Sequence, residues 1–223
     1  MYNGLHVHYT SNLKGEFVMN KEIEKQLYVE LSSLTKNKES WEENIDYVAS
    51  LLENQSSKIV AKALWMLGEM GLKYPNKIEN YVNKIASFLN SPYDLLRERS
   101  LNALGRIGRA DFNLIKAYFG KIMDLSKDNC SNVRLSFIWA SENIATNTPT
   151  AYREYISIFV ELLDDEYNRV RMEAPEMFRV LGKRKPEYVK KYIEKLTYIS
   201  EHDTERVVRI HSKGAIKAIL SNI

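Results

Sequence analysis

A fixed interval runs through this chain. Val60, Arg97, Arg134 and Arg171 stand 37 residues apart at each step, and Arg209 follows once a single extra residue is allowed. The same short frame surrounds these positions: an Asp six residues earlier (Asp128, Asp165, Asp203), a Val directly before the arginine (Val133, Val170, Val208), and at most steps a small residue three later (Ala63, Ser100, Ala174, Ser212). Leu96-Arg97 and Ile59-Val60 keep most of it. A recurrence of roughly 20–50 residues means one supersecondary unit copied along the chain, unable to bury its faces alone and stacked on its neighbours.

The unit reads as two antiparallel helices. Pro75, Phe112, Pro149 and Pro186 share one column, with Asp111 and Thr148 before two of them. An N-cap followed by Pro at the first helical position starts a helix, because that position has no use for its N–H. Tyr81, Tyr118, Tyr155 and Tyr192 come six residues on. Then follow Ile85, Ile122, Phe159, Leu196 and Phe88, Leu125, Leu162, Ile199, completing an apolar stripe at i, i+4, i+7. A polar turn leads into the second helix, which carries the Val-Arg pair. Gly71, Gly108 and Gly182 are expected to close three of these helices as left-handed C-caps.

Repeats therefore begin near residues 40, 75, 112, 149 and 186. Ser40-Trp41-Glu42-Glu43 reads as a capping box opening the first of them. Residues 20–36, with Ile23, Leu27, Leu31 and Leu34 at helical spacing, form a capping helix, so 20–223 is one repeat domain. The last repeat ends the stack: the core column Leu64, Leu101, Ile138, Pro175 turns polar at Lys213. Pro175 inside its helix implies a kink. Residues 1–19 form an arm outside the repeat, with alternation that suits a short hairpin and with His6 and His8 on one strand face. Two histidines make no metal site. Met19 is an equally good start, with the preceding residues an upstream extension.

Composition bounds the function. Charged residues at 27% and hydrophobic ones at 44% suit a soluble globular chain, and a net charge of +3 does not by itself argue for nucleic acid. The lone Cys130 excludes an internal disulfide and fits a reducing compartment. There is no apolar run of membrane-spanning length and no secretory-type start, so a cytoplasmic location is expected.

The two-helix period, the turn Asp, the Val-Arg pair and Leu104-Gly105-Arg106-Ile107-Gly108 resemble the HEAT-repeat family, closest to the short bacterial repeats also found in phycobilisome-lyase-like proteins. The resemblance covers about residues 40–223. It implies an all-α fold, a right-handed α-solenoid (alpha-alpha superhelix) of about five antiparallel helix pairs plus the N-terminal capping helix. It also implies a structural ladder of turn Asp and second-helix Arg between repeats, at Asp128 with Arg134, Asp165 with Arg171 and Asp203 with Arg209. Ser91 with Arg97 and Asn54 with Val60 depart from the pattern, which implies a weaker ladder near the N-terminus.

The resemblance also implies that the second helices line a concave face. Helical spacing sorts their outward columns into Ala61, Glu98, Leu135, Met172, Ile210; then Trp65, Asn102, Trp139, Glu176, Gly214; then Gly68, Gly105, Glu142, Arg179, Lys217. Polar Asn102 and Glu176 suggest that the middle column meets solvent, which makes Trp65 and Trp139 candidate anchors for a partner, since a rigid ring is buried at small entropic cost. Flat packing on neighbouring helices is the competing reading. The expected partner-binding set is Trp65 and Trp139 as anchors, Leu135 and Met172 as apolar floor, and Arg99, Asn102, Glu142, Glu176 and Arg179 as polar selectors. Basic residues gather at Arg97, Arg99, Arg106 and Arg109 and again at Arg179, Lys183, Arg184, Lys185, Lys190 and Lys191. Several sit at helix C-termini, where they complement the dipole, and Glu98, Glu142, Glu173 and Glu176 weaken any field aimed at nucleic acid.

Catalytic motifs are missing: there is no phosphate-binding glycine loop, no paired His at metal spacing and no nucleophile motif. No catalytic residue, cofactor or metal is expected. The expected function is a non-enzymatic scaffold holding a protein or peptide on its concave face. The alternative is nucleic-acid binding, including base excision of the kind carried out by HEAT-like alkylpurine DNA glycosylases, to which Trp65…Glu69 and Trp139…Glu142 bear a superficial likeness.

Overall fold

The computed structural model describes residues 21–223. The arm expected over residues 1–19, with its hairpin and the His6/His8 pair, lies outside the described residues. Helix α1 (Lys21–Lys36) stands alone. Five pairs follow: α2 (Ile45–Ser50) with α3 (Ser57–Lys73), α4 (Pro75–Ser87) with α5 (Asp94–Ala110), α6 (Phe119–Asp124) with α7 (Ser131–Asn147), α8 (Ile156–Leu162) with α9 (Asn168–Arg184), and α10 (Pro186–Val189) continued by α11 (Ile193–His202) with α12 (Arg206–Leu220). The chain is a right-handed α-solenoid.

The two helices of a pair differ for reasons visible in their residues. First helices are short or broken into 3-10 turns, as at Lys116–Tyr118, Pro149–Tyr155 and Lys190–Tyr192. They bury one stripe only, such as Ile78, Val82 and Ile85 on α4. Second helices are long and bury both flanks, since each packs on its own partner and on the neighbouring second helices, with α1 beside α3 at the start of the stack. Second helices run flank to flank along the stack, while first helices barely touch their counterparts. Closer spacing in one layer bends the stack toward that layer, so the second helices line its inner side.

Glycine permits that spacing. A Cβ on Gly68 would sit 2.6 Å from the Cα of Ala103, and one on Gly105 would sit 2.5 Å from the Cα of Ala140. Both positions are backbone-to-backbone crossings where no side chain fits. Gly71, Gly108 and Gly182 are not the C-caps that their spacing suggests. They lie inside α3, α5 and α9 with ordinary helical backbone, pressed against Ile107, Ile144 and Ile219. The helices end later, at Tyr74, Asp111 and Lys185. The capping box is also absent: the Ser40 hydroxyl donates to the Asn37 carbonyl, and α2 starts after Asn44 with no side-chain cap. Asp111 does cap, accepting the Asn113 N–H at 2.9 Å, whereas Thr148 makes no such bond.

The turn residues and arginines interlock, with the bonds running one repeat forward. Arg97 donates from Nε and Nη2 to Asp128 at 2.7 and 2.9 Å, Arg134 to Asp165 at 2.7 and 2.8 Å, and Arg171 from Nε to Asp203 at 3.2 Å. The remaining nitrogen, Nη1, of each donates to a carbonyl in the turn of its own repeat, at Ser91, Asp128 and Asp165. Each carboxylate in turn accepts a backbone N–H two residues on, from Cys130, Tyr167 and Glu205. Among the described residues, Arg209 at the end of the stack has only the carbonyls of Asp203 and Thr204. The departures at Val60 and Ser91 fall on the two halves of a single missing rung, so Arg97 is a full member of the ladder. Charge-assisted bonds of this kind contribute about 1.5–3 kcal/mol each when shielded.

At the ends, Trp41 ties α1 to the stack, its indole N–H donating to the Leu34 carbonyl at 2.8 Å. Lys213 is exposed where its counterparts Leu64, Leu101 and Ile138 are fully buried. Pro175 sits buried inside an otherwise continuous α9. No helix among the described residues is long and apolar enough to cross a membrane.

Candidate functional site

The outward rows of α3, α5, α7, α9 and α12 form the inner face, and its two ends differ in charge. At the N-terminal end, helices α1, α3 and α5 enclose an open cavity of about 330 Å³ lined by Tyr28, Lys58, Ala61, Lys62, Trp65, Leu95 and Arg99. Trp65 is half-buried and forms part of the wall. The Lys62 ammonium lies 4.6 Å from the centre of its ring, and the Lys58 ammonium 4.5 Å from that of Tyr28. Lys58 also faces Glu24 at 3.9 Å, and Arg99 faces Glu98 at 3.5 Å. Lys62 has no carboxylate partner among the described residues. Burial, reinforced by the positive charge of Arg99, lowers its pKa from the ordinary lysine value.

The middle of the face is more closed than its pattern suggests. Asn102 and Leu135 are buried, at 8% and 3% exposure, and so are not available as selector and floor. Asn102 donates to the Ser136 hydroxyl at 3.2 Å, a bond between adjacent second helices. A polar residue in that column satisfies itself across the helix contact instead of meeting solvent. Trp139, in the same column one repeat on, stands 37% exposed.

Carboxylates gather beyond Trp139. Glu142 on α7 is half-buried, and its Oε1 is shut off from solvent without a hydrogen-bond partner. Burial pushes its pKa up to about 8; the charges of Glu173 and Glu176 add to this, and Arg179 opposes it. Glu176 is buried at 8% exposure and held by Arg179 and, at 3.4 Å, by His211 Nδ1. His211 Nδ1 also lies 2.7 Å from the Met172 carbonyl, which suits an N–H donor. Glu176 is thus occupied within the protein, whereas Arg179 is exposed and Met172 half-exposed at the surface. Burial likewise raises the Glu98 carboxyl, which Arg99 opposes.

The structure groups the expected partner-binding residues into two sets. Trp65 and Arg99 belong to the basic cavity; Trp139, Glu142, Met172, Glu176 and Arg179 belong to the acidic half. Sequence reasoning missed Lys58, Lys62, Tyr28 and His211, and singled out Glu173 only for its charge. The column Lys62, Arg99, Ser136, Glu173, His211 carries a signal of its own, a charge reversal along the face, while Tyr28 sits on the unrepeated α1 and carries none. Among the described residues no group of His, Cys, Asp and Glu is arranged to hold a metal ion.

Stacked helix pairs with a continuous inner face define a helical-repeat solenoid. No protein-family model and no curated protein matches the sequence. Solved structures do match the fold. A designed armadillo repeat protein in complex with the peptide (KR)4 superposes with a TM-score of 0.65 at 17% identity, over 90% of this chain and 95% of that one. An engineered protein gives 0.64 at 18% identity over 86% and 85%. Computationally designed armadillo repeat proteins for modular peptide recognition give 0.56 at 16% identity over 86% and 98%.

Proposed function

We propose that this chain is a non-enzymatic, cytoplasmic HEAT-type scaffold that holds an extended peptide segment of a partner protein along its inner face. The two-helix unit and the arginine–aspartate ladder support the HEAT assignment over the three-helix armadillo unit. The observation that carries the peptide reading is Glu142 Oε1, buried and unpartnered beside the exposed Trp139. A buried carboxyl oxygen left without a donor is costly, and a Lys or Arg side chain from a partner supplies that donor while its stem lies on the indole. The designed solenoid of the same fold that carries the basic peptide (KR)4 supports this choice of ligand.

The test is isothermal titration with (KR)4 as probe against the intact chain and a Trp139→Ala variant. The variant should bind about tenfold more weakly or worse, as hot-spot aromatics do on truncation, with its melting temperature unchanged. Undiminished binding by the variant, or no measurable binding by the intact chain, removes the reading.

A further inference from the structure

The inner face reverses its charge along its length, and the cavity at its N-terminal end is not explained by a basic ligand. Resting on the peptide reading above, we infer that the cavity between Tyr28, Lys62, Trp65 and Arg99 receives one Asp or Glu side chain of the same bound peptide. The inner face would then read a peptide acidic at one end and basic at the other.

Charge complementarity selects the occupant. Lys58, Lys62 and Arg99 supply three positive charges to the cavity wall, and Glu24 and Glu98 lie against two of them, on Lys58 and Arg99. The cation left over is Lys62, which rests on the Trp65 ring with no carboxylate near it among the described residues. One net positive charge matches one carboxylate. The remaining wall, Ala61, Leu95 and the rings of Trp65 and Tyr28, suits the methylene stem that carries it. A nucleic-acid strand would also seek cations, but it brings a charge at every step. Glu98 and Glu173 lie along the rest of the face and would repel a polyanion continuing from the cavity.

Geometry sets the spacing. The cavity lies on α3 and α5, and the carboxylates on α7 and α9. Two steps between adjacent second helices, at about 8–10 Å each, separate Trp65 from Glu142. An extended peptide covers about 3.3–3.6 Å per residue, so the acidic side chain falls about five or six residues from the basic one.

The experiment uses the full chain and synthetic peptides carrying Lys-Arg-Lys-Arg at one end and a single Glu five or six residues away, made in both chain directions, each with a Gln counterpart. In one direction the Glu peptide should bind about tenfold tighter than its Gln counterpart, the gain expected of a single charge-assisted contact, and this gain should shrink in high salt. In a Lys62→Gln/Arg99→Gln variant of unchanged melting temperature the Glu and Gln peptides should bind equally, while Lys62→Arg should restore the preference. If Glu and Gln peptides bind the intact chain alike in both directions, the cavity assignment fails while the basic-peptide reading stands. If none of the peptides binds, both fail together. Displacement of a bound Glu peptide by a short DNA duplex at physiological salt would overturn the inference in favour of phosphate recognition.

Discussion

Arg134 and Asp165 form a two-point contact between adjacent repeats, Nε to Oδ2 at 2.7 Å and Nη2 to Oδ1 at 2.8 Å, while Arg134 Nη1 reaches back to the Asp128 carbonyl at 2.9 Å. One guanidinium therefore fixes two turns at once. Both side chains are about nine-tenths shielded from water. Arg134→Gln leaves Asp165 buried without its cation and should cost about 3 kcal/mol in urea unfolding. Arg209→Gln, which loses only bonds to carbonyls at the end of the stack, should cost about 1 kcal/mol. Equal losses at the two sites would mean that the inter-repeat bond contributes nothing.

The ladder also predicts an acid response. Burial alone would raise the Asp128 carboxyl, but bonds from Arg97 and from the Cys130 N–H outweigh it and hold the group below its ordinary value. A depressed folded-state pKa gives stability that is present above the unfolded value and lost as pH falls through the folded one. Below about pH 4 the wild type should therefore lose melting temperature faster than an Asp128→Asn variant, which has already lost the charge. Parallel acid melting curves for the two would refute the role of Asp128.

Between the first two repeats the rung is missing on both sides, at Val60 and at Ser91, although Asn54 and Ser91 keep the turn bond to the N–H two residues on. Val60→Arg alone buries an unpaired cation at a site 3% exposed and should destabilise. Ser91→Asp alone should be near neutral. The double substitution rebuilds the rung, with a favourable coupling of about 1–3 kcal/mol in a double-mutant cycle. Additive effects would show that the two positions do not face one another.

The stack was legible in the sequence because every repeat needs the same side chains at the same contacts: a proline or cap at the first turn, an apolar stripe on each helix, an arginine at the second. Contacts between repeats were less so. The Asp six residues before an arginine looks like its natural partner, yet at that distance the arginine reaches only the turn carbonyl, and the carboxylate points back to the preceding repeat. Asn102 misled for a similar reason, since its hydrogen bond to Ser136 crosses from one repeat to the next and no column records it. Gly71, Gly108 and Gly182 looked like helix ends because glycine serves both there and at close crossings, and only the neighbouring isoleucines tell the two apart.

Those crossings can be measured. Alanine is the better helix former by about 1 kcal/mol, so Gly105→Ala at an open site would stabilise α5. Here the new Cβ would stand 2.5 Å from the Cα of Ala140 and 2.9 Å from its Cβ, and backbone cannot step aside. The helices must part, at a cost of about 1–3 kcal/mol. Gly120→Ala, where nothing lies within 4 Å, supplies the comparison and should be neutral or stabilising in thermal melts. A Gly105→Ala variant as stable as Gly120→Ala would mean that α5 and α7 do not cross so closely.

Glu142 links the stability of the solenoid to its ligand. Its carboxyl titrates near 4.5 in the unfolded chain and is pushed up to about 8 in the folded one, chiefly by burial and then by Glu173 and Glu176. The folded state thus keeps a proton that the unfolded chain releases across this window, so the contribution of Glu142 to stability is greatest below about pH 4.5 and is lost as pH rises toward 8. Glu142→Gln holds the site neutral at every pH. It should match wild type near pH 4.5 and exceed it above pH 8 by on the order of 2 kcal/mol, about 4–8 °C in melting temperature for a chain of this size. Calorimetric scans at the two pH values decide it, and curves that coincide at both would mean that Glu142 is not shut away from water. A bound cation reverses the preference, because a Lys or Arg beside the carboxyl favours its charged form. Binding of (KR)4 near pH 7 should therefore release a proton, seen as a binding heat that changes with the ionisation enthalpy of the buffer, and Glu142→Gln should abolish that dependence along with much of the affinity.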